Sequence, residues 1–340
     1  MCNLGSINLE KFDAACDVAS VNITELAKVV GIATRMLDNV IDLSEYPVPR
    51  LEATRRANRR LGLGVMGFAD LLAKKRIGYN TAEARAVAEC VMSTVNDFSH
   101  AMSTALAYEK GVFSNWGLSK YAAKGELRRN AATTTVAPTG TISMMYDVCG
   151  GIEPFFALAY YYDNILGGDV KLQYVNKHLR AALEAGSICT PDLMEKIIRK
   201  GSLAAIEEIP PEIRTTFVTS MDISAEEHIA QQAAFQKHCD NSISKTINFP
   251  NAAWREDCAR GYSIAWESGC KGCTVYRDGS RFMQVLNLNE KKDADPEQHD
   301  AAAVCALAAE PRCPDCTWAL SRSEGCMLCV ACGYSACERE

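Results

Sequence analysis

The sequence of 340 residues lacks any apolar run long enough to cross a bilayer, so a membrane-spanning protein is not expected. It also lacks an excess of basic residues. Its 36 Lys and Arg against 42 Asp and Glu give a net charge of -6, which argues against a surface that coats nucleic acid. No charged and then apolar leader is visible. We therefore expect a cytoplasmic protein with no membrane and no direct nucleic-acid partner.

Two glycine-containing stretches fall short of the nucleotide-binding motifs that they superficially resemble. No lysine follows the turn around Gly140, so this turn is not a P-loop. The spacing of Gly62, Gly64 and Gly67 superficially suggests a dinucleotide-binding loop, but a lone glycine pattern is weak and no clear acidic residue ends a second strand. Close packing of a strand backbone against a helix is the better account of these glycines.

Composition and periodicity predict an α/β fold. Apolar residues make up 48% and charged residues 23% of the chain, which is ordinary globular usage. Strand patterns over 245–250 and 272–276 flank a helical pattern over 254–269, and such a strand–helix–strand unit is typical of a parallel sheet. Other helices are predicted after the capping box at 22–25, over 80–110, twice within 172–200, and over 221–237.

The stretch Asn130–Ser143 combines a strand pattern with a turn rich in hydroxyl groups. Ala131–Val136 is short, β-branched and uncharged, which is typical of a buried strand. Pro138 and Gly140 then break the run, and a helix is predicted to begin near Ser143. Free backbone amides at such a turn can bind an anion. From the residues alone, an ordinary strand–turn–helix corner and an anion site both remain open.

Arginines at 55, 56, 59 and 60 form a basic helical face. A solvated face is favoured over an anion site for this pattern.

The sixteen cysteines are unevenly distributed, with ten between Cys2 and Cys305 and six between Cys313 and Cys337. In a reducing compartment they are expected to be thiols, metal ligands or a working redox pair. Residues 287–312 precede the cysteine-rich tail and lack a core-forming pattern, which predicts a flexible linker.

Two CxxC knuckles in the tail predict a tetrahedral zinc site whose ligands are Cys313, Cys316, Cys329 and Cys332. Cys326 and Cys337 are then left over. Spare thiols beside such a cluster suit disulfide exchange, although they could also be inert, and Cys332 could instead close a disulfide with Cys337.

Taken together, eight segments resemble the C-terminal part of adenosylcobalamin-dependent (class II) ribonucleotide reductases. They occur in order over nearly the full chain and are jointly specific. The segments are residues 2–9, 37–42, 62–68, 137–143, 151–154, 240–248, 271–281 and the cysteine-rich tail.

The resemblance implies that residues 1–286 are the C-terminal part of a ten-stranded α/β barrel, followed by the linker 287–312 and a zinc-ribbon-like redox tail, 313–340. It implies that Cys2 is one of two cysteines that reduce the ribose, and that Cys326 and Cys337 in the tail re-reduce the resulting disulfide. It also implies that a six-residue loop binds the phosphates of a ribonucleotide, consisting of Pro138, Thr139, Gly140, Thr141, Ile142 and Ser143.

The same resemblance implies a vitamin B12-dependent ribonucleoside-diphosphate reductase that makes 2′-deoxyribonucleotides for DNA synthesis and repair. Iron-dependent relatives carry two adjacent tyrosines where this chain has Val275, Tyr276 and Arg277, which favours the adenosylcobalamin branch. The radical cysteine, the second reducing cysteine and the effector region of the family lie upstream of Cys2. The implied partners are therefore an N-terminal half of the reductase (unless the chain is a truncated fragment), a thioredoxin-like dithiol reductant, and a second copy in a homo-oligomer.

The alternative to an enzyme subunit is a non-catalytic zinc-ribbon protein that exchanges thiols or serves as an interaction module. The two hypotheses differ in whether the chain binds a nucleotide.

Overall fold

A computed structural model describes residues 3–13, 21–162 and 172–280, and residues 313, 314, 316, 321–323, 326–328, 332 and 334–337 of the tail. Contacts divide the chain into two compact units, Met1–Asn289 and Glu290–Glu340. Cys2 and Cys329 lie outside the described residues, as does the predicted linker.

The helices of the first unit account for most of its regular structure. They are α1 (Ile23–Leu43), α2 (Pro49–Asn58), α3 (Phe68–Lys74), α4 (Ala82–Lys110), α5 (Lys120–Ala123), α6 (Gly140–Met145), α7 (Lys177–Ala185), α8 (Pro191–Lys200), α9 (Pro211–Thr216), α10 (Ala225–Gln236) and α11 (Arg255–Glu267), with single 3₁₀ turns at Leu9–Phe12 and Trp116–Leu118.

The strands of the first unit are short. They are β1 (Leu4–Asn8), β2 (Gly62–Met66), β3 (Ala159–Tyr162), β4 (Leu172–Val175), β5 (Thr246–Phe249) and β6 (Thr274–Arg277). The second unit contains β7 (Ser321–Ser323), β8 (Cys326–Leu328) and β9 (Ser335–Cys337), which form one antiparallel sheet in that order.

A series of parallel extended segments forms the framework of the first unit. β1 pairs with β2, isolated bridges join Leu63 to Thr134 and Val136 to Ile243, and β5 pairs with β6, all in parallel. Helices connect these segments, as parallel crossovers require. The arrangement is the α/β architecture expected for the C-terminal part of a barrel.

The helices bury a continuous apolar core against this parallel framework. α4 packs against both α1 and α10. Leu26 and Ile41 of α1, Val91 of α4 and Phe235 of α10 are fully buried together with Phe68. The ring of Phe68 meets that of Phe235 edge to face at 4.9 Å, a favoured aromatic geometry.

Close backbone approach explains the glycines of β2. Every residue of this strand is buried, and a Cβ on Gly64 would collide with the backbone carbonyl of Thr135. The predicted close packing of this strand is confirmed, but its partner at Gly64 is the extended segment at Thr135 and not the helix that the sequence predicts.

Most of the predicted helices and strands are present, with local differences. α1, α4, α10, α11, β5 and β6 lie where periodicity predicts them. The stretch 172–200, predicted as two helices, begins instead with β4, which pairs antiparallel with β3 before α7 and α8 follow. In the described part of the chain, no helix is both long and apolar enough to span a membrane.

The prediction of a solvated arginine face is wrong for Arg59. This residue ends α2 in the left-handed conformation, with φ of 46°. It is buried, and its guanidinium bonds Asp38 Oδ1 and Asp42 Oδ1, each at 2.8 Å. Asn130 Nδ2 donates to the same Asp38 oxygen at 2.9 Å. The network ties α1 and the end of α2 to the stretch that begins at Asn130.

Replacing Asp38 by alanine should lower the free energy of unfolding by about 3 kcal/mol, because the buried Arg59 guanidinium would lose its fully buried carboxylate and keep only the partly exposed Asp42. Urea unfolding followed by circular dichroism measures this change. The control is Glu52→Ala, which removes an exposed ion pair with Arg56 and should leave the midpoint nearly unchanged. Equal shifts in the two variants would contradict the structural role of the buried pair.

Candidate active site

The loop Pro138–Ser143 lies at the carboxyl end of the parallel framework. It directly follows the extended segment bridged at Thr134 and Val136. Thr139 adopts the left-handed conformation with φ of 56°, and α6 begins at the next residue. The predicted helix is therefore present, although it begins three residues earlier than expected and contains six residues. Loops at the carboxyl ends of parallel strands are common ligand sites in α/β folds.

The first turn of α6 presents backbone amides to open space. The first helical hydrogen bond runs from the Ser143 amide to the Thr139 carbonyl at 2.8 Å, so the amides of Gly140, Thr141 and Ile142 precede the helical hydrogen-bonding pattern. Gly140 and Thr141 are exposed, and Ile142 is 41% exposed. Such amides can donate hydrogen bonds to a ligand oxygen without breaking an existing helical bond.

The backbone of Gly150 and Gly151 packs closely against this loop. A Cβ on Gly150 would lie 2.8 Å from the Pro138 carbonyl oxygen, and one on Gly151 would lie 3.0 Å from that of Ala137. The Gly151 amide donates to Thr139 Oγ1 at 2.7 Å. The backbone of 150–151 therefore packs directly on the loop and fixes the conformation of Thr139.

Gly140 itself is not required by the local packing. Among described atoms outside its own helix and chain neighbours, none lies within 4 Å of a Cβ built at this position. Its φ is not in the left-handed region. A side chain at residue 140 would therefore project into open space beside the first turn of α6.

Behind the loop, a buried cation joins two segments singled out by the sequence. Lys245, fully buried, donates from Nζ to Glu153 Oε2 at 2.7 Å and to His228 Nδ1 at 2.9 Å. Glu153 Oε1 also accepts the Thr246 amide at 2.6 Å. Glu153 follows the two glycines by only two residues, so this ion pair anchors the loop support to the start of β5.

The protonation states in this buried cluster follow from its contacts. Burial lowers the pKa of His228 to about 3, and the Lys245 ammonium acts in the same direction. The neutral ring can then accept from Lys245 at Nδ1 and donate from Nε2 to the Ser220 carbonyl at 3.0 Å. Burial also lowers the pKa of Lys245. The Glu153 carboxylate opposes this effect, because it raises the same pKa by stabilising the ammonium.

Asp240 fixes the segment that leads into the loop. Its Oδ2 accepts the Thr133 amide at 2.8 Å and the Thr134 amide at 3.4 Å, and its carboxylate contacts His100 Nε2 at 3.0 Å. Burial raises the pKa of Asp240, but the bonds from His100 and the two amides outweigh burial and hold that pKa well below its usual range. The carboxylate stays ionised.

A second group of titratable side chains lies where β1 and β2 end. His178 Nε2 lies 3.2 Å from Glu10 Oε1 and 3.7 Å from Asp70 Oδ1. Asp70 Oδ2 accepts the Cys149 amide at 2.7 Å. Burial raises the pKa of Asp70 and lowers that of His178. Burial, reinforced by Asp70, raises the pKa of the Cys149 thiol well above its ordinary value, so this thiol is a poor nucleophile.

In the tail, three of the four predicted zinc ligands lie together. The ligand atoms of Cys313, Cys316 and Cys332 lie within 4.8 Å of one another, and Cys313 Sγ is 3.5 Å from Cys332 Sγ. Sulfurs on a zinc tetrahedron are about 3.8 Å apart, given Zn–S bonds of about 2.3 Å. Cys329, the fourth predicted ligand, lies outside the described residues.

The two leftover tail cysteines are direct backbone partners in the tail sheet. The register of β8 and β9 pairs Cys326 with Cys337. Opposite residues in an antiparallel pair have Cα atoms about 4.5–5.5 Å apart, which lies within the range that a disulfide spans. Cys2, the third predicted redox cysteine, lies outside the described residues.

Sequence reasoning missed several residues of these clusters. Glu153 and Lys245 lie within the segments 151–154 and 240–248 that resemble the family, so these motifs could have indicated the two residues. His228 sits on α10 with an ordinary helical pattern, and nothing in the sequence marks it. The same is true of the group Glu10, Asp70 and His178, whose members come from three separate elements.

Comparison with known proteins decides the family. The sequence model described as "Ribonucleotide reductase, barrel domain" matches residues 1–128 and 124–276. The chain belongs to the ribonucleotide reductase family. The match covers the candidate loop and ends at Tyr276, so it does not extend to the tail.

Two similar members of the ribonucleotide reductase family are named as vitamin B12-dependent enzymes. The chain is 43% identical over 299 residues to a vitamin B12-dependent ribonucleoside-diphosphate reductase of Thermoplasma acidophilum, covering 88% of this chain and 38% of the relative. It is 41% identical over 291 residues to the protein of that name from Mycobacterium tuberculosis, covering 86% and 40%. The chain thus spans about two fifths of the length of these relatives.

A solved structure agrees with the assignment to ribonucleotide reductases. The class Id ribonucleotide reductase alpha subunit of Actinobacillus ureae is similar with a TM-score of 0.63 and 25% identity. The similarity covers 84% of this chain and 50% of that subunit.

His228 should make the stability of this reductase chain depend on pH. Its pKa is lowered in the folded state from 6.5 to about 3, so between those values the unfolded chain binds a proton that the folded chain does not. The free energy of unfolding should therefore fall as pH falls below 6.5, by about 1.4 kcal/mol per pH unit from this group. In His228→Gln this part of the slope should disappear.

Urea unfolding at several pH values between 6.5 and 4 measures the slope. His238→Gln is the control, because that side chain is only half-buried, and it should keep the wild-type slope. A His228→Gln protein with an unchanged slope would show that the imidazole is not held neutral by burial.

Proposed function

We propose that this chain supplies the substrate-phosphate loop, one reducing cysteine and the re-reducing tail of a vitamin B12-dependent ribonucleoside-diphosphate reductase. The complete enzyme would reduce ribonucleotides to 2′-deoxyribonucleotides. The observation that carries the proposal is the open set of amides at Gly140, Thr141 and Ile142, in a chain 43% identical to a relative of that name. Because the chain spans only part of such relatives, the activity requires an N-terminal complement.

The phosphates of the substrate would dock on the first turn of α6. The amides of Gly140, Thr141 and Ile142 donate to phosphate oxygens, and the exposed Thr141 hydroxyl can add a further bond. Pro138 and Thr139 shape the turn. Ser143, which is buried, donates from Oγ to the Gly140 carbonyl at 3.2 Å, so its proposed role is to hold the turn rather than to contact the ligand.

The reduction requires two electrons at the 2′ carbon of the ribose. In the proposed reaction Cys2 and a second cysteine of the complement give up these electrons and close into a disulfide. The dithiol of Cys326 and Cys337 then reduces that disulfide by exchange and becomes oxidised itself. A thioredoxin-like dithiol protein restores the tail. The backbone register that pairs Cys326 with Cys337 supports their action as one couple.

Two bound groups belong to the proposal. Zinc would be held by Cys313, Cys316, Cys329 and Cys332, and the spacing of the three described sulfurs fits a tetrahedral site. Adenosylcobalamin would supply the radical in the complete enzyme.

Replacing Gly140 by aspartate should weaken binding of a ribonucleoside diphosphate by about tenfold or more, because a carboxylate would face the phosphates from a few ångströms. The complex of the chain with the upstream part of a B12-dependent relative is titrated with CDP by calorimetry. Gly117→Asp is the matched control, since Gly117 is also exposed, has no positive φ and has no described atom near a Cβ. Unchanged CDP affinity in Gly140→Asp would remove the phosphate site from this loop.

Adding adenosylcobalamin, CDP and a dithiol to the same complex should yield deoxynucleotide. Cys2→Ser should abolish product, whereas Cys326→Ser and Cys337→Ser should allow about one turnover per site and then stop when a thioredoxin-like protein is the reductant. Cys90→Ser, an exposed thiol on α4, serves as control and should keep full activity. A folded complex that neither binds CDP nor makes product would favour the non-catalytic interaction module.

Zinc content offers a separate test of the tail. The purified chain should contain about one zinc per molecule, and Cys316→Ser should lose most of it because a structural site needs four ligands. Metal analysis of the gel-filtered protein measures the content, with Cys326→Ser as the control that retains zinc. Equal loss in both variants would show that the ligand set is wrong.

A further inference from the structure

A pair of cysteines outside the tail occupies one turn between α11 and β6. Cys270 and Cys273 flank Lys271 and Gly272. The helix is closed by Gly269, with φ of 78°, and by a bond from the Cys270 amide to the Ala265 carbonyl at 3.0 Å. The chain then bends at Lys271. Two cysteines separated by two residues across a bend have the spacing of redox dithiols.

The turn is held in place by side chains of α10 and by close packing. Gln236 Oε1 accepts the Lys271 amide at 3.2 Å, and Gln232 Nε2 donates to the Gly272 carbonyl at 2.6 Å. Lys271 Nζ donates to the Asp240 carbonyl at 2.6 Å. A Cβ on Gly272 would lie 2.8 Å from Ser242 Oγ. These contacts fix the backbone between the two thiols.

The two thiols are both partly exposed to solvent but differ in the charges that surround them. Both are half-buried and pack against a small apolar cluster that includes Ile247 and Phe249, while the neighbouring Gly269 and Lys271 are exposed. Burial raises the pKa of Cys270 to about 11. Burial also raises the pKa of Cys273, but there the Lys245 ammonium acts in the opposite direction. Cys273 is therefore the better nucleophile of the two.

The described residues do not make this pair a closed metal site. A structural zinc site takes four ligands. Among the Cys, His, Asp and Glu side chains that the structure describes, the set of three or more with ligand atoms within 4.8 Å is the tail group of Cys313, Cys316 and Cys332. Cys270 and Cys273 have no third described ligand of this kind, which favours disulfide chemistry over metal binding.

We propose that Cys270 and Cys273 form a second redox dithiol, which closes into an intramolecular disulfide by exchange with low-molecular-weight disulfides. The Cys273 thiolate attacks one sulfur of oxidised glutathione, forms a mixed disulfide and releases one glutathione. The Cys270 thiolate then attacks the Cys273 sulfur and releases the second glutathione. Two electrons pass from the protein to the reagent, and the two thiol protons end on the two glutathione molecules.

The sequence allows a direct test, because trypsin cleaves between the two cysteines. Cleavage after Arg260, Lys271 and Arg277 separates Cys270, on peptide 261–271, from Cys273, on peptide 272–277. The full native chain is incubated with oxidised glutathione, blocked with N-ethylmaleimide, digested and analysed by mass spectrometry. The disulfide-linked pair of peptides should rise by about tenfold or more over a sample kept in dithiothreitol.

Variants then separate the two thiols. Cys270→Ser should accumulate glutathione on Cys273, since the resolving thiol is missing. Cys273→Ser should give neither the linked pair nor comparable glutathionylation of Cys270. Cys258→Ser is the matched control, because Cys258 is also half-buried against the same apolar cluster, and it should form the linked pair normally.

The wild-type digest alone can overturn the proposal, so it does not depend on how the variants fold. The proposal fails if no linked pair forms, if it forms only in urea, or if Cys270 or Cys273 is linked to Cys258 or to a tail cysteine instead. These outcomes do not depend on nucleotide binding or on the complement, so they leave the reductase assignment untouched.

Discussion

The bonds from the Thr133 and Thr134 amides to the Asp240 carboxylate are the interaction on which the rest of the site depends. The extended segment before the loop is too short for a regular strand and is bridged only at Thr134 and Val136 among the described pairings. Backbone bonds also join this segment to Leu61, Leu63, Asn241 and Ser244. The ionised, largely buried Asp240 carboxylate adds a bond at 2.8 Å, and charge-assisted bonds of this kind are stronger than neutral ones. Because Pro138 follows two residues after Val136, these bonds together set the position of the loop.

The ion pair of Lys245 and Glu153 also helps to fix the position of the loop, through residues 150–153 that pack against it. Burying a lysine is costly, and its pairing with a carboxylate and an imidazole nitrogen only offsets that cost. A well-packed apolar pair could be equally stable, so stability alone does not account for the charges. The pair provides a defined geometry, because the Glu153 carboxylate accepts hydrogen bonds from both Lys245 Nζ and the Thr246 amide. These bonds fix the chain two residues after Gly151, whose amide holds Thr139.

The sequence predicted elements whose signals are local and missed features that depend on distant partners. The long helix α4 and the unit β5–α11–β6 follow from periodicity and capping residues, and they lie where expected. The prediction of helix at β4 is wrong because the conformation of this strand comes from its pairing with β3. Arg59 was placed on a solvated face because periodicity cannot foresee a left-handed helix end that turns a side chain inward. The loop at 138–143 was found from its motif, whereas His228 could not be, since its role exists only beside Lys245, seventeen residues further along the chain.

The tail shows how strand register can resolve what spacing leaves open. By spacing alone, Cys337 could pair with Cys332 as well as with Cys326. In the tail sheet Cys337 is the backbone partner of Cys326, while Cys332 lies with Cys313 and Cys316. If zinc holds the second group and the other pair acts as the proposed redox couple, the zinc-bound thiolates take no part in disulfide exchange. Metal binding and electron transfer then use different sulfurs. A tail so small can combine the two functions only with such a division, because its folding energy would come mainly from the metal.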